Sequence, residues 1–400
     1  MVEFKISGGD RMVRVTYTGK MEIGGSGIGS TAMHQVRPLY DNMMMGKIYS
    51  PALKSPDDLQ ILNIYHKLIP DVQHPLYLVG DVMFDQLTSL VMEEPTILQT
   101  WMNHSYSQML KYPDAIKIIN LFSAHPNVQA ELVGTDISDP ATHLSLMRQR
   151  KELEMADYIL VPSQFVYDSL KDYGLQDKAV IMPFGVDLEK FNRGMPPTID
   201  PILHKNEDGN YEHKWKGVHF KQPFPFKVIF VGSNWHRKGG PLLLEAWDKL
   251  DLKNAELTIC GIQAEALGDV DIKENVKVGW VPDLVQTLQE SSLFILPALE
   301  DGCPLATHEA MACGLPVVVT HNTGTKDYIT DGKDGWIIEP NSVDAICEVL
   351  QNAYDNDNEM GLYEMGLEAR KTIEKWPWSR YEQQYIDFIK SIPQKDAWLE

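Results

Sequence analysis

Short apolar runs alternate with helix-like segments along the C-terminal half of this 400-residue chain. Such alternation predicts parallel strands joined by crossover helices, because a parallel connection has to return over one face of the sheet. We therefore predict a Rossmann-like α/β domain in this half. Its predicted strands are 226–231, 255–260, 276–281, 292–297, 316–320 and 335–338, and its predicted helices are 241–250, 281–290, 305–313, 325–330 and 343–354.

The N-terminal half repeats the pattern less regularly. A predicted strand over 12–17 leads into the glycine-rich loop 24–30, which opens a helix at Thr31. We therefore predict a second Rossmann-like domain over residues 1–195, whose strand order the sequence leaves open. Its other predicted elements are strands 96–102, 115–122, 158–161 and 179–182 and a helix over 144–156.

Residues 196–225 interrupt both patterns. Scattered prolines and the polar run 206–210 predict an interdomain connection here. The C-terminal domain then spans 226–375, and an amphipathic helix within 376–400 is predicted to pack back on the N-terminal domain.

Composition and charge narrow the class of protein. A formal net charge of -20 argues against a nucleic-acid partner, because neutralising phosphates requires a basic stripe. No apolar run approaches the roughly 18 residues that a membrane span needs, and residues 1–5 do not begin a secretory signal. The four cysteines form no CxxC pair, as is typical of reduced thiols. We expect a cytoplasmic protein, with peripheral contact to a membrane left open.

Two acids, Asp301 and Glu309, bracket the segment that directly follows the predicted strand 292–297. A buried strand, a turn containing Gly302 and then a helix place both acids near the carboxyl end of a strand, where open α/β sheets bind ligands. Backbone N–H groups at the helix start between them suit an anion. The predicted ligand has hydroxyls at both ends and phosphate in the middle, as a nucleotide-sugar has.

A series of short motifs follows one order through the chain. They are Ala156–Ser163, Pro183–Phe191, Phe230–Gly232, Lys238–Gly240, Leu257–Gly261, Val278–Val281, Asp301–Pro316 and Gly332–Trp336. In this order they resemble the retaining GT-B glycosyltransferases of family 4, the glycosyl transferases group 1. The resemblance implies an α/β protein of two Rossmann-like domains facing across a cleft, with the donor bound mainly by the C-terminal domain.

The resemblance also implies roles for the two acids. Glu309 matches the family's ribose-binding Glu, and Asp301 stands where the family usually has a Glu near the donor sugar. Asp is one methylene shorter, and the adjacent Glu300 is a carboxylate that compensates by a small shift. The segment between the acids is expected to contact the donor through Gly302, Cys303, Pro304 and Leu305.

Lys238 matches the family's diphosphate-binding lysine. The usual arginine partner falls on Ser233, so we expect Arg237 to supply the second cation and Ser233 to remain a donor contact. Two cations stabilise a leaving diphosphate without a metal, and the resemblance implies neither a metal nor a cofactor.

The remaining candidates are weaker patterns. His125 follows a predicted strand where the family often has a catalytic His, although a buried structural histidine is the competing interpretation, and His104 ranks below it. Gly25 is expected to face the donor from the glycine-rich loop, and Thr323 to offer a hydroxyl to the phosphates. Residues 43–45, all Met, are interpreted as helix core rather than as a lipid contact.

We therefore predict a retaining hexosyltransferase. It would move a sugar from a UDP- or GDP-linked donor to a hydroxyl of a carbohydrate, a lipid-linked glycan or another hydroxyl compound. Two alternatives remain: a nucleotide-sugar 2-epimerase on the same fold, which needs no acceptor, and a nucleotide-sugar-binding protein without turnover.

Overall fold

The chain forms two α/β units in a computed structural model. The first unit combines Met1–Phe184 with Trp378–Glu400, and the second is Gly185–Pro377. The residues described by the structure are 15–18, 27–42, 44–50, 61–63, 85–86, 88–90, 92–194, 204–205, 211–212, 225–267, 272–357 and 361–393.

The first unit contains a parallel sheet. Its strands are β1 (Val15–Thr18), β2 (Met45–Ser50), β3 (Ile61–Asn63), β4 (Ile97–Trp101), β5 (Ile116–Asn120), β6 (Tyr158–Val161) and β7 (Ala179–Ile181). Among the described residues the order is β3-β2-β1-β4-β5-β6-β7. The direction of winding therefore reverses between β1 and β4. The strands β8 (His204–Lys205) and β9 (Tyr211–Glu212) pair separately as an antiparallel ribbon within the predicted connection.

The second unit contains another parallel sheet. Its strands are β10 (Phe226–Val231), β11 (Ala255–Cys260), β12 (Val276–Gly279), β13 (Leu293–Leu296), β14 (Val317–Thr320) and β15 (Gly335–Ile338). Every residue of β13 and β14 is buried, as expected for a parallel sheet covered on both faces. In the described residues the order is β12-β11-β10-β13-β14-β15, the doubly wound Rossmann order. All six strands predicted for this half are confirmed.

Helices connect the strands of both sheets. In the first unit they are α1 (Gly27–Asp41), α2 (Tyr106–Lys111), α3 (Pro126–Val133), α4 (Pro140–Met155), α5 (Gln164–Ser169) and α11 (Trp378–Ser391). In the second they are α6 (Gly240–Leu250), α7 (Leu284–Gln289), α8 (Leu305–Ala312), α9 (Val343–Asp357) and α10 (Gly361–Ile373). None of the helices in the described ranges combines the length and apolar character needed to cross a membrane.

The C-terminal helix α11 is bound to the first unit by buried polar side chains. Gln35 Nε2 on α1 donates to the Tyr381 hydroxyl at 2.8 Å and to Asn120 Oδ1 at 2.7 Å. The Tyr385 hydroxyl donates to Gln99 Oε1 on β4. Because these groups are buried, each hydrogen bond lost would leave a polar atom without water or partner. This network makes α11 an integral part of a unit that lies far from it in sequence.

The structure divides the chain earlier than the predicted boundary at residue 195. Residues 185–194 belong to the second unit, where Arg370 Nη1 donates to Phe191 O at 2.9 Å and Gln289 Nε2 to Asn192 O at 2.6 Å. These long-range bonds to backbone carbonyls have no signature in the local sequence. The predicted helix 325–330 is a 3₁₀ turn at Gly324–Tyr328, and most of the predicted connection 196–225 lies outside the described residues. Met43 also lies outside the described residues. Met44 is buried after the end of α1 and Met45 begins β2, so the interpretation of these methionines as helix core was wrong.

Gly239 allows the loop after β10 to approach the loop after β13, which gives a first prediction. Its φ is +74°, and a Cβ would lie 1.9 Å from Pro297 O, whereas Gly332 has the same φ with nothing within 4 Å. Alanine at either position costs about 1–2 kcal/mol for left-handed backbone. We expect Gly239→Ala to lose roughly 1–3 kcal/mol more than Gly332→Ala, measured by thermal unfolding of both variants. Equal losses would show that the close approach is not required.

Candidate active site

Two loops meet where the strand order of the second sheet reverses. One follows β10 and the other follows β13, and the backbone N–H of Leu299 donates to Arg237 O at 2.8 Å, so the loops are joined directly. In doubly wound sheets the crevice beyond the carboxyl ends of two such strands is where ligands bind. The loop residues there are the candidates for chemistry.

Four charged side chains fill this crevice. Arg237 Nη1 lies 3.0 Å from Glu300 Oε2, and Arg237 Nη2 lies 3.7 Å from Asp301 Oδ2. Lys238 Nζ also contacts Asp301 Oδ2. Glu300 and Asp301 are buried, while the two cationic side chains remain partly exposed. The cations therefore lie over the acids and are the groups that a ligand would meet.

The pKa values of this cluster follow from burial and opposite charge. Burial by itself raises the pKa of Asp301, but Lys238 and Arg237 outweigh it and the pKa falls below its ordinary value. Burial by itself lowers the pKa of Arg237, but Asp301 and Glu300 outweigh it and raise that pKa. All of the shifts that are resolved favour the charged forms.

The local backbone explains why an aspartate at position 301 is well accommodated. Cys303 N donates to Asp301 Oδ1 at 3.3 Å, the side-chain to backbone bond two residues ahead that a short Asp side chain makes in turns. Asp301 N donates to Asn322 O at 3.0 Å, and Gly324 N donates to Asp301 O at 2.8 Å. The loop after β13 is thereby fixed to the loop after β14, and Asp301 is held by its main chain as well as by Lys238.

Glu309 lies farther along α8, half-buried. Burial raises its pKa to about 7, and Lys190 opposes this rise. Among the described residues, no donor forms a hydrogen bond to its carboxylate. Glu309 therefore has acceptor capacity for the hydroxyl groups of a ligand.

A buried pair between the two acids was not predicted from the sequence. Cys303 Sγ lies 3.7 Å from His308 Nε2, and the His308 ring meets the edge of Tyr328 with ring centroids 4.4 Å apart. Burial lowers the pKa of His308 to about 4, against a bond with the Gly185 backbone that raises it, so the ring is neutral near pH 7. Neutral packing of this kind stiffens the segment from Gly302 to the first turn of α8.

The other donor-binding candidates of the second unit occupy different settings. Gly302, Cys303 and Pro304 are buried beside Asp301, and Leu305 is half-buried at the start of α8. Thr323 is buried with its hydroxyl 3.0 Å from that of Thr320, and Ser233 is exposed. Within the described ranges, His, Cys, Asp and Glu side chains form no group of three or more that would hold a metal ion.

The histidine candidates belong to the first unit. His125 is 1% exposed and caps α3, its Nδ1 accepting from Asn127 N at 3.3 Å. Its ring stacks on Tyr173 with centroids 3.4 Å apart, and burial, followed by Arg150, lowers its pKa to about 4. This setting favours the structural interpretation of His125. His104 is also buried, and Gly25 lies outside the described residues.

The partner of Glu300 was not predicted from the sequence. Glu300 is buried and paired with Arg237, and its compensation for the shorter Asp301 stays a prediction. Two adjacent cations, Arg237 and Lys238, face two adjacent acids across the crevice. In the sequence, this pairing is indicated only by two dipeptides of opposite charge, Arg237–Lys238 and Glu300–Asp301. The strand order decides which cation pairs with which acid, because it brings the two loops together.

Comparisons with known proteins agree with this geometry. Residues 225–356 match the model of the glycosyl transferases group 1 family. The matched segment lies within the second unit. Solved structures extend the likeness to the whole chain: sucrose-phosphate synthase from Thermosynechococcus elongatus has a TM-score of 0.73 at 14% identity, over 94% of this chain and 98% of that one. The chain therefore has the GT-B fold.

Two curated relatives are similar over shorter segments. UDP-Gal:alpha-D-GlcNAc-diphosphoundecaprenol alpha-1,3-galactosyltransferase of Escherichia coli is 29% identical over 45% of this chain and 46% of its own length. GDP-mannose-dependent monoacylated alpha-(1-6)-phosphatidylinositol monomannoside mannosyltransferase of Corynebacterium glutamicum is 26% identical over 64% and 66%. The chain thus spans from about half to just under two thirds of these glycosyl transferases' length.

The pair of partly exposed Arg237 and buried Glu300 gives a second prediction. A double-mutant cycle with Arg237→Met and Glu300→Gln should show a coupling of roughly 1–3 kcal/mol, because each single change leaves a charge with fewer partners in a low-dielectric site. Denaturant unfolding measures the cycle. The exposed pair of Lys249 and Asp344, 3.3 Å apart, is the matched control and should show no measurable coupling. Additive losses for Arg237 and Glu300 would contradict the pairing.

Glu309 gives a prediction on pH. Its pKa is about 7 in the folded protein against an ordinary 4.5, so between these values the folded protein holds a proton that the unfolded chain has lost. Stability should therefore fall as pH rises through this window and level off above it. Glu309→Gln removes this contribution, so the difference in stability between wild type and variant, measured by denaturant unfolding at several pH values, should slope across the window. A flat difference would contradict the raised pKa.

Proposed function

We propose that this protein is a glycosyltransferase that uses a nucleoside-diphosphate sugar as its donor. The observation that carries the proposal is the pair of partly exposed cations, Arg237 and Lys238, held over buried acids at the reversal of the strand order. The match of the same unit to the glycosyl transferases group 1 supports it.

Diphosphate binding at this site is an exchange of partners. The two cations and two acids, Arg237, Lys238, Glu300 and Asp301, sum to zero charge while they bind one another. Diphosphate oxygens compete with Asp301 for Lys238, because a phosphate is a stronger charged acceptor than one carboxylate oxygen. Asp301 is then free to accept hydrogen bonds from the donor sugar. Glu300 stays buried and keeps Arg237 oriented.

The two ends of the donor are bound by different acids. Asp301 takes the sugar, and Glu309, whose carboxylate accepts no hydrogen bond from the described residues, takes the ribose hydroxyls. Cys303 and His308 fix the segment between them. This assignment of the sugar to Asp301 and of the ribose to Glu309 follows the family resemblance. It is consistent with the positions of the two residues, because Asp301 precedes α8 and Glu309 lies within it.

The proposed reaction is transfer with retention and without a metal. The bond between the anomeric carbon and the diphosphate oxygen breaks, the acceptor oxygen bonds to the same face of that carbon, and the acceptor's proton passes to the departing phosphate. Arg237 and Lys238 neutralise the negative charge that develops on the leaving group. Because these cations do so directly, the chain's own residues supply what a divalent ion supplies elsewhere.

The donor is proposed to be UDP- or GDP-linked, as the names of the two curated relatives indicate for those proteins. The acceptor is a hydroxyl of a carbohydrate or of a lipid-linked glycan. We place the reaction in the cytoplasm, which is supported by the four cysteines, all of them free thiols.

Substitutions at Lys238 and Glu309 test the proposal. Lys238→Met should chiefly slow sugar transfer, by about a hundredfold or more, because a cation at the leaving group acts in the transition state. Glu309→Gln should chiefly weaken nucleotide binding, because its acceptor capacity is reduced. Lys333→Met, which removes an exposed cation of the same unit, is the control and should change neither.

Transfer would be assayed with UDP-, GDP- and ADP-sugars against a panel of acceptors. Unchanged binding and rate in both variants would contradict the assignment. Formation of an epimer from the nucleotide-sugar alone would identify a 2-epimerase, and nucleotide binding without turnover across the panel would identify a binding protein.

A further inference from the structure

A second concave surface lies on the sheet of the second unit, apart from the candidate active site. This groove has a volume of about 220 Å³ and is bounded by β10, β11, β12 and α7. Neither Lys238, Asp301 nor Glu309 lines it. We call it the Trp280 groove and define it by Lys227, Glu256, Thr258, Lys277, Trp280 and Thr287.

Trp280 is the most unusual residue of the groove. Its side chain is 72% exposed, and among the described residues it stacks on no other ring and donates no hydrogen bond. Gly279 before it has a φ of +142°, with open space where a Cβ would stand, so the backbone that directs Trp280 outward suits glycine. A large, stiff side chain with an apolar face and one N–H donor is costly to leave in water and is typical of binding surfaces.

The charges in the groove cancel in pairs. Lys277 Nζ lies 2.8 Å from Glu256 Oε2, and Lys227 Nζ lies 4.0 Å from Glu290 Oε2. With each cation matched by an acid, the groove has no excess charge that would attract a phosphate or a nucleic acid. These side chains are only partly buried and their pairs are weak. They therefore present hydrogen-bond donors and acceptors side by side for a ligand.

A flat apolar platform beside neutral, paired donors and acceptors suits a ligand with an apolar face and many hydroxyls. We propose that the Trp280 groove binds a neutral oligosaccharide. The C–H face of one pyranose ring packs on the indole, and its hydroxyls bond to Glu256 and Lys277. Thr258 and Thr287 line the same groove and add hydroxyl contacts.

The Trp280 end of the groove lies at the same edge of the sheet as the candidate active site. Trp280 follows the carboxyl end of β12 as the Lys238 loop follows that of β10, and β11 is the single strand between them, a separation of roughly 10 Å along the sheet. A glycan held by Trp280 would thus lie beside the donor crevice without entering it. Glycan binding here does not require that the protein transfer sugar.

Saturation-transfer NMR and calorimetry with maltotriose, cellotriose and chitotriose test this proposal on the full chain. Wild type should bind at least one of them, and Trp280→Ala should weaken that binding by about tenfold or more. Trp280→Phe, which keeps an aromatic platform, should retain most of it. UDP and GDP should bind equally to all three proteins.

Three results would overturn the proposal. They are the absence of binding to wild type for all three trisaccharides, equal binding by wild type and Trp280→Ala, and a loss of UDP or GDP affinity in Trp280→Ala, which would assign the indole to a nucleobase. Failure of the proposed transferase function appears separately, in the Lys238 and Glu309 variants.

Discussion

The ion pair between Lys238 and Asp301 joins the two loops that leave neighbouring strands of the second sheet. At the reversal of the strand order, the connections after β10 and β13 run to opposite sides, so a crevice opens between their first residues. Gly239 packs against Pro297 O, and Leu299 N bonds to Arg237 O. Buried Glu300 and Asp301 would be costly without cations, and these backbone contacts are what bring the cations within reach.

This arrangement gives the ligand-free protein a satisfied but exchangeable site. In the proposed function, the acids supply the cations with partners until a diphosphate binds, so neither set of charges is left without a partner in a low-dielectric crevice. The proposed exchange would also couple the binding of the two halves of a donor molecule, since Asp301 becomes available to a sugar only when Lys238 has another acceptor. The segment that follows β13 is held in place by the Cys303–His308 pair and by the backbone hydrogen bonds of Asp301 to the loop after β14. The proposed exchange of partners therefore requires little movement.

The sequence predicts the second unit well because its signals are local. Each buried strand is an apolar run followed by glycine or a turn, and the order of motifs places Lys238, Asp301 and Glu309 around one sheet edge. The pairing of Glu300 was not predicted, because its partner, Arg237, lies 63 positions away and is brought close only by the strand order. His125 shows the same limit: a histidine after a strand predicts a site equally well whether its ring faces a ligand or caps a helix.

The most direct test is calorimetric titration of UDP with UMP, and of GDP with GMP, into wild type and Lys238→Met. If Lys238 exchanges Asp301 for a diphosphate, wild type will prefer the diphosphate over the monophosphate of one nucleoside. Lys238→Met will lose most of that preference while binding the monophosphate about as well as wild type does. An unchanged preference in the variant would contradict the central role given to this ion pair.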